Sequence, residues 1–399
     1  MTTNTDPRKP KVTPQILLFI CVMLVATNLR APFTAMAPLL DMIQNALNVG
    51  TSEAGIVMAI PLFAFMLFSP FVPMITRKTG LENGLLYTVI LIGLGILLRS
   101  FGGLSFLYLG TAIIGLGIAA GNVILPSYIK LKFPHKIPLV TSSYVLTMGL
   151  TAAISSAIVI PLAQVHDLNW RFAAGAFVIL PIITVILWAP QARKSTKEKM
   201  GDITKQYLSP IWRYALAWQV TFFFACNSIL FYAMISWLPS IFNEIGLSPE
   251  KSATLHGALQ LASAVPGLIL VPLINRTKDQ RGIATLVAIF NLLGLLGLLL
   301  LPAWATFWTI IIGLGTGGGF ILALSFMGLR TSNSDRAASL SSMSQTIGYL
   351  AAGAATLVLA KVAEANDSWQ PILIICMALC VTQGLIGLFA GRSIQISYD

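Results

Sequence analysis

Twelve apolar runs follow one another along this chain, each long enough to cross about 30 Å of hydrocarbon as a helix, and they leave it little choice but a membrane. In lipid every backbone N–H and C=O must find its partner inside the protein, so runs of this length read as helices. They fall at 15–40, 53–76, 83–101, 104–129, 138–163 and 171–190, then at 214–243, 252–275, 282–301, 305–328, 337–362 and 370–391. Composition agrees. The chain is 56% hydrophobic and 10% charged, with a mean hydropathy of +0.82, whereas a soluble domain would carry about 25% charged residues. The first run follows a polar tail and is too long and too arginine-bearing for a cleaved signal peptide, so it is read as retained.

A net charge of +11 would suggest nucleic acid if the basic residues were scattered. They are not. Of 25 lysines and arginines, 20 fall on one side of the predicted membrane, Arg77, Lys78 and Arg276 among them, and only Arg99, Arg171, Lys251 and Lys361 fall on the other. The positive-inside rule then places both termini in the cytoplasm, with the protein multi-pass in the inner membrane. The basic excess is topology: the partner is a lipid bilayer, and no nucleic acid is expected.

Cys21, Cys226, Cys376 and Cys380 lie within predicted spans and give neither a disulfide framework nor a thiolate metal site. His135, His166 and His256 stand apart from one another, so no metal cluster is visible. A phosphate loop with its lysine, a Gly-x-Ser-x-Gly turn and a His-Glu-x-x-His pair are all missing, which argues against an enzyme and for no cofactor. The acids, from Asp6 to Asp399, fall in tails, loops or outermost turns. If a proton is coupled to transport, the candidates are His256 or, near the outer mouth, Glu53 and Glu250.

The chain also matches itself at half its length. Ser142-Ser143, Thr147, Gly149 and Ala152-Ala153 recur 199 positions later as Ser341-Ser342, Thr346, Gly348 and Ala351-Ala352; Trp170 recurs as Trp369. At an offset of 198, Gly115, Gly117 and Gly121 recur as Gly313, Gly315 and Gly319. Six spans per copy make a parallel repeat with a substrate site where the halves meet. The fold class is therefore an all-α membrane protein of twelve transmembrane helices in two pseudo-symmetric six-helix bundles. The expected divisions are a tail at 1–14, bundles at 15–190 and 211–392, a linker at 191–210 and a tail at 393–399.

Arg30 stands deep inside the first run, the only charge so placed. An arginine at mid-bilayer is unfavourable by about 2.5 to 3.5 kcal/mol, so such a residue faces a partner or a wet cavity. Its planar fork of donors suits anionic or nitro-like groups. Its mate in the repeat is Ser228 or Ile229, that of Asn122 is Phe320, and those of Gln345 and Tyr349 are Leu146 and Leu150, so the polar character belongs to one half at each place. Helical spacing sets Thr27, Arg30 and Thr34 on one face and turns Asn28 away. It also lines up Ser143 or Tyr144 with Thr147, Thr151 and Ser155, Ser252 with His256, Gln260 and Ser263, and Ser341 with Gln345 and Tyr349. Such stripes predict a shared aqueous cavity. Glycines of the fourth and tenth spans allow close helix approach, and Pro61, Pro126, Pro161 and Pro239 are candidate points of bending.

Four strings carry a family resemblance: Asn28-Leu-Arg30-Ala-Pro32, Gly121-Asn122 through Pro126 to Lys130 and Pro134, Phe231-Tyr232 through Trp237-Leu-Pro239, and Ser344-Gln345-Thr-Ile-Gly348-Tyr349. The chain resembles the major facilitator superfamily and, within it, the cyanate and 2-nitroimidazole permease family. The resemblance implies two bundles that alternate access to a central site, with Arg30 and Asn122 as solute contacts. Thr76-Arg77-Lys78-Thr79-Gly80 lacks the acid usual in that superfamily's loop, and Thr111 stands where many proton-coupled relatives carry an arginine. The expected function is transport of a small polar or anionic solute, cyanate-like, with export of neutral heteroaromatic compounds such as 2-nitroimidazoles as the alternative and a non-transporting receptor as a third reading. Arg30, Thr34, Asn122, Tyr144, Tyr232, His256, Gln260, Gln345 and Tyr349 would line the site, and Arg77, Lys78 and Arg276 the inner gate. The protein is expected to work as a monomer.

Overall fold

A computed structural model describes residues 12–165, 169–193, 211–332 and 334–396. The expected tails and linker fall largely outside the described residues, at 1–11, 194–210 and 397–399. Twelve helical spans are present: Gln15–Leu47, Thr51–Phe71, Leu81–Ser100, Leu104–Lys132, Leu139–Gln164 and Trp170–Ala192, then Ala215–Glu244, Pro249–Ile274, Arg281–Leu300, Pro302–Leu329, Arg336–Asn366 and Gln370–Ala390. Polar residues punctuate them where the chain re-enters the apolar layer. Asn169 accepts the Arg171 N–H at 2.9 Å to cap the sixth span, and Ser248 accepts that of Lys251 at 3.3 Å to cap the eighth. Gly246, at φ 87°, supplies the left-handed turn that ends the seventh.

The helices run through Pro61, Pro126, Pro161 and Pro239, where the sequence suggested bending. They break before other prolines instead. In the first span the helix Val12–Asn28 stops, a one-turn helix Ala31–Thr34 follows, and a 3-10 turn Ala37–Leu39 leads into Leu40–Leu47. Pro32 has no N–H to offer the carbonyl four residues back, and its ring crowds that carbonyl, which weakens the helix at this point. Breaks at Ser69–Phe71 and before Pro266 have the same chemistry.

The duplication is visible as matched interactions. Asn28, fully buried and turned away from Arg30 as expected, donates from Nδ2 to Thr184 Oγ1 of the sixth span at 2.8 Å. Asn227 and Gln383, each 199 positions on, pair in the same place between the seventh and twelfth spans, with Gln383 Nε2 donating to Asn227 Oδ1 at 3.0 Å. Glycines repeat too: a Cβ on Gly95 would sit 2.7 Å from the Gly110 carbonyl, and one on its mate Gly294 would sit 2.5 Å from Ile312. The asparagines fix the offset at 199, which makes Ile229 the mate of Arg30.

Arg30 is not the only inward charge. The sequence placed Arg99 among the few bases at the far ends, yet its side chain is 1% exposed and Nη1 donates to the Pro32 carbonyl at 2.6 Å. Its position at the last turn of an apolar run made it look like a loop residue. Glu82, buried at the basic end, pairs with Lys132 at 2.9 Å, and buried Arg330 donates to the carbonyls of Ala390 and Gly391.

Interhelical side-chain bonds in membranes average about 0.6 kcal/mol and reach about 1.7. Double-mutant cycles of Asn28→Ala with Thr184→Ala, and of Asn227→Ala with Gln383→Ala, should each give a coupling in that range when thermal unfolding is followed in detergent. Zero coupling in both would remove these pairs as the stitches of the repeat.

Candidate functional site

The break in the first span sets Arg30 between two helices, at φ −124° and ψ −49°, with its side chain half-buried. Among the described residues no carboxylate or carbonyl accepts from its guanidinium. Its neighbour is a ring: the guanidinium carbon stands 5.6 Å from the centroid of Phe231 in the seventh span. A cation over an aromatic face gains about 0.5 to 2 kcal/mol, depending on how dry the site is.

Phe231 belongs to a closed circuit of five rings. Centroids run from Phe231 to Tyr232 at 5.2 Å, Tyr232 to Tyr349 at 6.1 Å, Tyr349 to Phe224 at 5.8 Å, Phe224 to Phe320 at 5.7 Å and Phe320 back to Phe231 at 5.9 Å. The seventh, tenth and eleventh spans supply them. From the other half, Phe33 meets Tyr232 at 6.2 Å and Phe65 meets Tyr349 at 5.6 Å, both edge to face. Phe33 and Tyr232 are themselves mates at offset 199, so this contact joins the halves through equivalent positions. The first half contributes the charge and the second most of the rings.

The sequence-predicted residues divide into three groups. Arg30, Tyr232 and Tyr349 come together in this cluster. Thr34 is buried and engaged, donating to the Arg30 carbonyl at 3.1 Å and lying 2.9 Å from Ser155 Oγ of the fifth span, so it braces the break. Asn122 is exposed on the fourth span and Tyr144 half-buried on the fifth, and neither hydrogen-bonds to a described residue. Gln345 is half-buried and donates to Ser341 on its own helix at 2.7 Å. Gln260 is buried with Nε2 unpartnered. Phe33, Phe65, Phe224, Phe231 and Phe320 were missed as site residues. The one signal available was the pair Phe224 and Phe231, seven apart on a single face of the seventh span.

His256 lies elsewhere, in the seam between the halves, fully buried with Nδ1 2.7 Å from Ser156 Oγ, which also meets the Ala253 carbonyl at 2.9 Å. The seam gathers at the ends opposite the basic loops. There Asp41 accepts from Ser240 at 3.1 Å and Asn243 at 2.6 Å, Glu250 accepts from Gln164 at 2.5 Å, and Glu364 accepts from Ser52. The helices of the seam approach closely: a Cβ on Gly257 would lie 2.6 Å from the Ala153 carbonyl, and one on Gly149 would lie 2.8 Å from Ala264. At the basic ends Lys78 and Arg276 are exposed, and the Arg77 side chain lies outside the described ones.

The profile of the Major Facilitator Superfamily matches residues 18–356. Over 382 residues the chain is 41% identical to the 2-nitroimidazole transporter of Escherichia coli (strain K12), covering 96% of this chain and 97% of that one. The cyanate transport protein CynX of the same organism is 25% identical over 343 residues, 85% of this chain and 88% of that one. Among solved structures, the D-xylose-proton symporter superposes with a TM-score of 0.77 at 12% identity, over 96% of this chain and all of that one. A bacterial homologue of the human lysosomal transporter Spinster, inward-facing and unoccupied, gives a TM-score of 0.77 at 11% identity, over 98% of this chain and all of that one.

Close backbone approach at Gly257 leaves no room for a branched side chain. Gly257→Val should therefore wedge the fifth and eighth spans apart and raise the labelling rate of a thiol introduced at Ser156 from the side opposite the basic loops. Unchanged labelling in folded protein would show that this approach does not hold the seam.

Proposed function

The chain belongs to the major facilitator superfamily, and from that membership we propose that it carries a small, flat, neutral heteroaromatic solute of the 2-nitroimidazole kind across the membrane. Arg30 donates to the nitro or ring-nitrogen acceptors, and the surrounding rings hold the plane of the molecule. The observation that carries this reading is the unpaired Arg30 guanidinium set against the five-ring circuit that begins at Phe231. Aromatic pairs contribute about 0.5 to 1.5 kcal/mol beyond burial, and a hydrogen bond from a charged donor about 1.5 to 3 kcal/mol. Together they reward a guest that is both planar and polar.

The sequence put a cyanate-like anion first. A linear anion would use the guanidinium and leave most of the rings idle, and the similarity to the 2-nitroimidazole transporter extends over more of the chain, at higher identity, than that to CynX. Anion transport stays as the second reading because the Arg30 charge has no described counter-ion.

On this reading the halves rock about the contact of Phe33 with Tyr232, and the seam at Asp41, Gln164 and Ser52 closes the outer path. The basic loops face the cytoplasm and the membrane is the inner one, in keeping with the bias of lysine and arginine. Lys78 and Arg276, with Arg77, belong to the inner gate that closes when the seam opens.

In reconstituted vesicles Arg30→Ala should raise the KM for 2-nitroimidazole about ten-fold or more, the loss of one charge-assisted hydrogen bond, with Arg30→Lys in between. Normal KM values in both variants would end the reading. Across nitroimidazoles of different acidity, affinity that follows the neutral form favours this proposal, and affinity that follows the anion favours the second.

A further inference from the structure

Arg99 has no place in the mechanism so far, and its surroundings do not explain it as scaffold. The guanidinium is sealed inside the first half, 1% exposed, yet among the described residues it meets one acceptor, the Pro32 carbonyl at 2.6 Å, while Nε and Nη2 have no partner there. A buried charge without full compensation is commonly less stable than a packed apolar side chain of similar volume. The other half supplies the comparison. The mate of Arg99 at offset 199 is Leu298, also 1% exposed, and the mate of Pro32 is Phe231, inside an unbroken helix, Ala215–Glu244. The fold itself is satisfied by leucine at this position. Arginine occurs where the first span is broken and leucine where its counterpart is continuous.

The backbone shows what the arginine holds. Phe33 N–H and Thr34 N–H both go to the Arg30 carbonyl, at 3.1 and 3.0 Å, and Met36 N–H goes to Phe33 O at 3.2 Å. Met36 is four residues beyond Pro32 and would bond to its carbonyl in a regular helix. That carbonyl is left over, between the two first-span side chains that face the rings, and Arg99 takes it.

We infer that Arg99 is a positioning residue for the solute site: by gripping the Pro32 carbonyl it fixes the broken stretch that presents Arg30 and Phe33 to the rings of the other half. The inference rests on the reading of Arg30 as a solute contact. Arg99 touches no solute; it sets where Arg30 stands.

The test uses the full-length protein with Arg99→Leu, the residue its own repeat carries, and Arg99→Lys, which keeps one charged donor. Arg99→Leu should fold, since leucine is equally buried at the equivalent position of the other half. Hydrogen exchange in the peptide spanning residues 29–36 should quicken, and the KM for 2-nitroimidazole should rise about ten-fold with maximal rate within about two-fold. Arg99→Lys should restore most of both. In an Arg30→Ala background Arg99→Leu should change KM by clearly less than in the wild type, because only the placement of Phe33 is left to lose. Unchanged exchange at 29–36 overturns the inference whether or not Arg30 binds solute. Quickened exchange with unchanged KM, in a protein whose KM responds to Arg30→Ala, overturns it as well, and so does a KM rise that persists in full without Arg30. If Arg30→Ala itself leaves KM unchanged, the reading of the site fails and the positioning role falls with it, while the exchange result still decides whether Arg99 grips the break. If Arg99→Leu does not fold, Arg99→Met, a flexible apolar side chain of similar length, takes its place with the same expected and overturning outcomes.

Discussion

An unsatisfied backbone group in hydrocarbon costs several kcal/mol, and the first span is built so that it must contain some. Pro32 takes the N–H away from the carbonyl of Asn28, and the turn that follows leaves its own carbonyl without a helical donor. Side chains gather around the gap: Asn28 reaches back to Leu24 O and across to Thr184 of the sixth span, Thr34 donates to the Arg30 carbonyl and meets Ser155 of the fifth, and Arg99 of the third donates to the left-over Pro32 carbonyl. Three of the helices around the first span are thereby tied to a single irregular stretch. Non-helical backbone at membrane depth is tolerated where it is buried in protein or lines a cavity, and here it lifts a guanidinium out of the helix wall toward the centre.

Duplication supplies the frame against which that stretch stands out. Asn28 with Thr184 and Asn227 with Gln383 hold equivalent spans with equivalent bonds, and the glycine approaches at Gly95 and Gly294 repeat in the same way. Where the halves differ, they differ together: Arg30 against Ile229, Pro32 against Phe231, Arg99 against Leu298. Three neighbouring departures from a common scaffold turn one half into the polar partner and leave the other to supply rings. A parallel repeat places both sets of residues at one level in the membrane, so charge and aromatic faces meet without any element crossing the molecule.

Much of this was legible in the sequence, and what was not has physical reasons. Twelve spans and their pairing emerge because a membrane helix must be apolar over its whole length, which leaves a signal no loop can imitate. Arg30 was legible for the converse reason, as a charge where charge is expensive. Helical spacing placed Thr34 and His256 on polar faces correctly enough, but spacing says which residues share a face and nothing of what lies opposite it. Ser155 lies opposite Thr34 and Ser156 opposite Nδ1 of His256, so each polar face meets another helix. The aromatic circuit was hidden because a phenylalanine in an apolar run looks the same whether it meets lipid, core or solute. Arg99 was hidden by its place one residue from the end of an apolar helix, Leu81–Ser100, where a charge costs little and carries no signal.

The seam at the ends opposite the basic loops has a character that fits the opening and closing proposed for it. Its carboxylates, Asp41, Glu250 and Glu364, each accept from neutral amides or hydroxyls across the boundary. Such bonds are charge-assisted yet free of the full desolvation that a buried ion pair demands, so separating the partners returns each to water at modest cost. Between them the helices touch through Gly149 and Gly257, where dispersion over a close backbone contact replaces large interlocking side chains. A ligand shifts an equilibrium only by its differential affinity for the two states, typically a few kcal/mol. On the proposed reading, the energy available from one guanidinium contact and a few ring contacts is of that order, and a seam made of locked ion pairs and large interdigitated side chains would lie beyond its reach.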